Sequence, residues 1–183
     1  ETEALAGEQL LYVTGSIDTG PEASRVVQGS LQTCREHGLA HELLDAAATR
    51  RRFPGYRVPD QNLSVFQPEG GFVASERAIL AHLSLAVAQG ADLHGREKVL
   101  AVEPKGGRVE VVTDAGRYEA GRVVVSAGGW IADLVPVLRG KAVAERQVLG
   151  WFLPKRPELF TPDRFPVSNA ELASGHFYQF PIW

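Results

Sequence analysis

The chain has 183 residues, 44% hydrophobic and 22% charged, with a net charge of −3. That suffices for one generous domain or two small interleaved ones, and the absence of a basic stripe speaks against a nucleic acid or an anionic membrane as partner. The apolar runs are too short to span a bilayer, and the single cysteine, Cys34, excludes an intrachain disulfide and fits a reducing, cytoplasmic setting.

Taken in order, "QLLYVTGSID" reads as a strand from Gln9 to about Ile17. A helix follows from about Pro21 to Glu36, with Ala23, Val27, Leu31 and Cys34 on one apolar face, Gly29 as its weak spot and Gly38 just past its end. "HELLDAAATRRRFPGY" gives a short strand and a short helix that stops at Pro54. "LSVFQPEGGFVAS" gives two short strands around Pro68, Gly70 and Gly71.

The clearest helix is "SERAILAHLSLAVAQG", with Ser75 as N-cap, an inner face of Ile79, Leu83, Ala86 and Val87, and Gly90 at its end. Strands dominate after it. "REKVLAVEP" is one; "RVEVVT" and "RYEA" form a hairpin through Asp114-Ala115-Gly116, with glycine placed for a positive φ. "GRVVVSAGGW", "RQVLGWFLP" and "HFYQFPIW" follow, the last two separated by a proline-rich loop. The fold class is mixed α/β, and a central helix–strand–hairpin–strand block is expected as an insertion between two halves of another domain.

Most chemistry-bearing residues have an ordinary structural explanation. His37 and His41 have the i, i+4 spacing of helical zinc ligands, but Gly38 lies between them and no third ligand is near. Cys34 sits on an apolar helix face with nothing to activate it. Arg50, Arg51 and Arg52 read as a solvated basic face. His82 and His94 stand alone. Ser126 lacks the G-x-S-x-G context of a hydrolase nucleophile, and neither G-x-G-x-x-G nor a phosphate-binding P-loop occurs.

"VVVSAGGW", Val123–Trp130, is different. A β-branched run leads into Ser126, Ala127, Gly128 and Gly129, then a tryptophan. Small side chains there let a ligand oxygen approach backbone N–H groups, and a helix starting near Trp130 would aim its positive end at it. A plain strand-to-helix corner explains the same residues.

Several stretches, in order, resemble the middle of the flavin-dependent amine oxidases related to monomeric sarcosine oxidase and N-methyltryptophan oxidase, within the D-amino-acid-oxidase-like group. They are "RRFPGY", "VFQPEGGFVAS", "SERAILAHLSLAVAQG", "REKVLAVEP", "VVVSAGGW", "RQVLGWF" and "HFYQFP". The resemblance implies a two-domain flavoprotein: residues 1–74 and 142–183 belong to a substrate domain with a mixed or antiparallel sheet, and residues 75–141 form the C-terminal part of an FAD-binding domain. It implies that Ser126, Ala127 and Gly128 lie against FAD, that Trp130 supports the turn, and that Val99 contacts the adenine end. Tyr178 would line the substrate cavity facing the flavin ring, and Asn169 would project near it.

The resemblance further implies an internal segment of a longer protein. The family's glycine-rich pyrophosphate loop and the cavity lysine and histidine expected after Tyr178 are not in this sequence, and Cys34 is misplaced as a flavin attachment point. The expected parent is an FAD-dependent oxidoreductase that converts a small amine or N-methyl amino acid to an imine, while this segment alone should not catalyse. Two alternatives stand beside it: a flavin-dependent dehydrogenase of the same fold, and a non-catalytic αβ binding module.

Overall fold

The computed structural model describes residues 1–183. One helical turn, α1 (Thr2–Ala6), ends at Gly7. The expected first strand is two: β1 (Leu11–Val13) and β2 (Ser16–Pro21). Gly15 divides them at a φ of 75°, and a Cβ there would meet the Phe66 ring at 2.6 Å. Only glycine fits that corner without strain.

Pro21 closes β2 and does not open the helix that follows. Helix α2 spans Arg25–Glu36, and the Ser24 hydroxyl accepts the Val27 N–H at 3.2 Å. This cap satisfies one of the donors a helix start leaves unpaired. Val27, Leu31 and Cys34 are buried on its inner face as the spacing requires, whereas Ala23 lies outside the helix and is exposed. Strand β3 (Glu42–Asp45) runs into α3 (Ala46–Arg52), capped by Asp45, whose Oδ1 accepts the Ala48 N–H at 2.6 Å.

The arginines of α3 are only partly a solvated face. Arg50 donates to the Val58 carbonyl and pairs with Asp60, while Arg52 pairs with Glu42 and lies 4.4 Å from the centre of the Phe66 ring. Strands β4 (Asn62–Gln67) and β5 (Gly71–Val73) follow, then α4 (Ser75–Ala88). Ser75 is the first helical residue, not the cap, and its hydroxyl donates to Glu76. The expected inner face of α4 is not covered: Ala81 is buried, but Ile79 is 58% and Val87 50% exposed.

Strands β6 (Val99–Lys105), β7 (Arg108–Thr113) and β8 (Arg117–Ala120) form an antiparallel meander. The loop after β7 closes differently from expectation. The Thr113 hydroxyl accepts the N–H groups of Ala115 and Gly116, so Gly116 needs no positive φ; the left-handed glycines are Gly106 and Gly107, between β6 and β7. Beyond β8 the chain from Arg122 to Ala127 forms no strand, then makes a 3-10 turn (Gly128–Trp130) and one α turn, α5 (Ile131–Leu134). The stretch Gln147–Leu153 likewise forms no strand. Both were expected as strands from their β-branched and aromatic residues, but such propensity makes a strand only where a neighbour supplies the ladder.

The final elements are β9 (Val167–Leu172) and β10 (Gly175–Gln179). They complete a five-stranded mixed sheet of order β10-β9-β2-β4-β3, antiparallel throughout except for the β2–β9 pair. On one face Ile17, Phe53, Tyr56, Phe66 and Phe165 form the larger core; on the other Val65 packs against Val27 and Leu31. Tyr56 and Phe165 stack at 4.2 Å, and the Tyr56 hydroxyl donates to the buried Pro166 carbonyl. Burial pushes the Tyr56 phenol well above its ordinary pKa. The chain divides into two units, Glu1–Gln89 with Phe152–Trp183, and Gly90–Trp151. No helix is long and apolar enough to cross a membrane.

Candidate functional site

The β9–β10 hairpin places Tyr178 directly opposite Asn169, and the parallel register places Asn169 opposite Asp18 of β2. Residues on adjacent rungs project from the same face, so the three side chains form a row across three strands. Asn169 Nδ2 donates to Asp18 Oδ1 at 2.9 Å, and Ser30 Oγ, reaching down from α2, donates to Asp18 Oδ2 at 2.5 Å. Sequence reasoning singled out Tyr178 and Asn169 and missed Asp18. The available signal was an acid in the middle of a strand otherwise made of small and apolar residues, "SIDTG".

Tyr178 is 56% exposed and borders a cavity of about 220 Å³ with Gly71, Val167, Asn169 and Phe180. The Phe180 ring stands edge-on to Tyr178 at 6.1 Å and edge-on to Phe72 at 6.0 Å, and Trp183 meets both Phe72 and Tyr12. The result is an aromatic wall beside a small polar group, the usual make-up of a small-molecule site. A second cavity, of about 470 Å³, lies between α2 and the sheet, lined among others by Asp18, Ser30, Thr33, Gln67 and Asn169. Asn169 borders both cavities.

The other candidates lie in the second unit. Val99 opens β6, half-buried and paired with Thr113. Ser126 and Gly128 are exposed, Ala127 is half-buried and Trp130 is 73% exposed. Gly128 has a φ of 52°, and a Cβ built on it would have no heavy atom within 4 Å. The bend is therefore open at Gly128, while a Cβ on Gly129 would lie 3.4 Å from Ala144, and α5 just beyond the bend packs on β6. The helix after the bend is only four residues long. The helix-end attraction expected from the sequence is correspondingly small.

The same unit holds a polar cluster. Glu97 accepts hydrogen bonds from Thr113 Oγ at 2.5 Å and the Tyr118 hydroxyl at 2.8 Å, and His94 Nδ1 lies 3.0 Å from its second oxygen. The Thr113 and Tyr118 hydroxyls hold its carboxyl below the ordinary carboxylate range. These bonds tie the segment before β6 to β7 and β8, which is a structural role.

The model of the family of FAD-dependent oxidoreductases named DAO matches residues 3–182. The chain belongs to this family. FAD is the family's cofactor. Among characterised relatives, this DAO-family chain is 35% identical over 183 residues to monomeric sarcosine oxidase of Streptomyces avermitilis, covering 99% of this chain and 48% of that protein. It is 33% identical over 148 residues to N-methyl-L-tryptophan oxidase of Yersinia pestis, covering 81% of this chain and 39% of that one. The chain thus spans about half or less of the relatives it matches. NikD, an unusual amino acid oxidase essential for nikkomycin biosynthesis, superimposes in its open form with a TM-score of 0.64 at 30% identity over 75% of this chain and 36% of its own. L-proline dehydrogenase from P. horikoshii shares the fold over 100% of this chain and 53% of its own, with a TM-score of 0.65 at 15% identity.

Proposed function

We propose that the full-length protein oxidises the carbon next to nitrogen in a small amine or N-methyl amino acid, giving an imine that water then hydrolyses. The observation that carries this is the Tyr178–Asn169 pair, facing an aromatic-walled cavity in a chain whose relatives are named as oxidases of sarcosine, N-methyl-L-tryptophan and amino acids. Bound FAD supplies the two-electron acceptor for that bond change.

This chain's own residues bind and orient. In this reading Ser126, Ala127 and Gly128 hold the cofactor along the open bend, Val99 meets its adenine end and Trp130 supports the turn. About residues 75–141 contribute to the FAD-binding part, and the flanking residues build the substrate part. Tyr178 and Phe180 shape the cavity, exclude water from it and set the substrate's pose, and Asn169 supplies a hydrogen-bonding group beside them.

The test is colour and product. The full-length protein is expected to purify yellow, to release flavin on denaturation and to produce hydrogen peroxide when given N-methyl amino acids in air. Flavin reduction without peroxide would make it a dehydrogenase. A colourless full-length protein that takes up no FAD would overturn the reading.

A further inference from the structure

Asp18 is a carboxylate in the middle of a sheet, flanked by Val65 of β4 on one side and Asn169 of β9 on the other. Both its oxygens are engaged, Oδ1 by Asn169 Nδ2 and Oδ2 by Ser30 Oγ. An ionised carboxylate only accepts hydrogen bonds, so the amide end that faces it must be the NH2. One N–H of that NH2 is committed to Asp18, which fixes the amide's rotation; Asn169 keeps its second N–H and its carbonyl Oδ1, the acceptor it can offer the Tyr178 cavity, which it also lines.

We infer that Asp18 is a positioning residue. By holding the NH2 of Asn169 it turns the Asn169 carbonyl into the cavity as an acceptor, so that the site selects ligands carrying an N–H donor over ligands of equal size without one. This inference rests on the amine reading above and deepens it. An amide left free to rotate presents either end, and its NH2 end repels an ammonium group. Holding one N–H from behind fixes the amide's rotation and with it the carbonyl's direction, and Ser30 fixes Asp18 in turn. Discrimination then comes from an unpaired acceptor when the wrong ligand binds.

The experiment compares two ligands in the full-length flavoprotein: an N-methyl amino acid and its thioether isostere, in which sulfur replaces N–H. Binding is read from the perturbed flavin absorbance, and the limiting rate of flavin reduction from rapid mixing. In Asp18→Asn, whose side chain accepts as well as donates, the amine's Kd is expected to rise about tenfold. The thioether's Kd should move less than about twofold, the limiting rate should stay within about twofold, and Asp18→Glu should recover much of the loss. Selective 15N-asparagine labelling adds a readout free of turnover: the Asn169 NH2 resonances should move between the wild type and Asp18→Asn.

If Asp18→Asn yields no folded flavoprotein, Ser30→Ala carries the test, with the same selective loss at about threefold. Equal weakening of both ligands, or of neither, overturns the inference while leaving the amine reading intact. A yellow wild type that binds no amine overturns the reading, and the inference with it.

Discussion

At the scale of single residues, Tyr178 and Tyr56 present opposite cases. Tyr178 is exposed and borders a cavity. In the full-length protein, Tyr178→Phe is expected to slow amine turnover by at least about tenfold, roughly 1.4 kcal/mol of lost transition-state stabilisation. Steady-state kinetics with unchanged kcat/KM would remove Tyr178 from the site. Tyr56 is buried, stacked on Phe165, with its hydroxyl on the Pro166 carbonyl. Tyr56→Phe keeps the stacking but orphans a buried acceptor, and is expected to cost about 1–3 kcal/mol in denaturant unfolding with activity retained in the surviving folded enzyme. Tyr178 was singled out through the "HFYQFP" resemblance, and the structure places it beside a cavity. Asp18 was not, because its neighbours come from β9 and α2, and no local pattern reports a partner so far along the chain.

At the scale of elements, legibility followed locality. Helix α2 announces its buried face through Val27, Leu31 and Cys34 at helical spacing. The β6–β7–β8 meander announces itself through alternation and turn residues. Strand β9, "VSNAEL", has little β-branched content and was hidden inside a proline-rich loop. It is a strand because β2 and β10 offer it two edges. The converse held for Val123–Ser126 and Gln147–Leu153, which look like strands and find no ladder here. The meander also has a pH dependence of defined sign. The Glu97 carboxyl is held below its ordinary range by Thr113 and Tyr118, so its unfolded pKa is the higher of the two. The stability it adds is present above that unfolded value and lost as pH falls through the folded one. Side-chain carboxyl NMR should show Glu97 titrating below the ordinary glutamate range, and Glu97→Gln should flatten the acid limb of the meander's hydrogen-exchange protection. An unshifted Glu97 resonance would contradict this.

At the scale of the whole molecule, the ordered set of family-like pieces identified the family and its cofactor before any coordinates, because each piece is a local word and their order is global information. The exposed surface was not legible that way. Val148, Trp151, Phe152 and Leu153 stand almost wholly in solvent, Leu153 at 97%, and α4 shows Ile79, Leu80 and Val87. Large apolar side chains exposed in this number favour association. The 183-residue chain alone is therefore expected to self-associate across the micromolar range in sedimentation experiments, and the double substitution Trp151→Ser with Phe152→Ser should reduce this. A strictly monomeric wild-type chain would contradict it.

The parallel seam between β2 and β9 joins residues 151 positions apart. After β2 a ribosome must make the whole intervening stretch before β9 emerges to close that edge. Closing a span of about 150 residues costs about 2 kcal/mol more in chain entropy than closing one of about 15, so the local meander should form long before the mixed sheet is whole. For that interval the nascent polypeptide carries an open strand flank, a natural target for chaperones, and its most hazardous moments fall during translation, not after release.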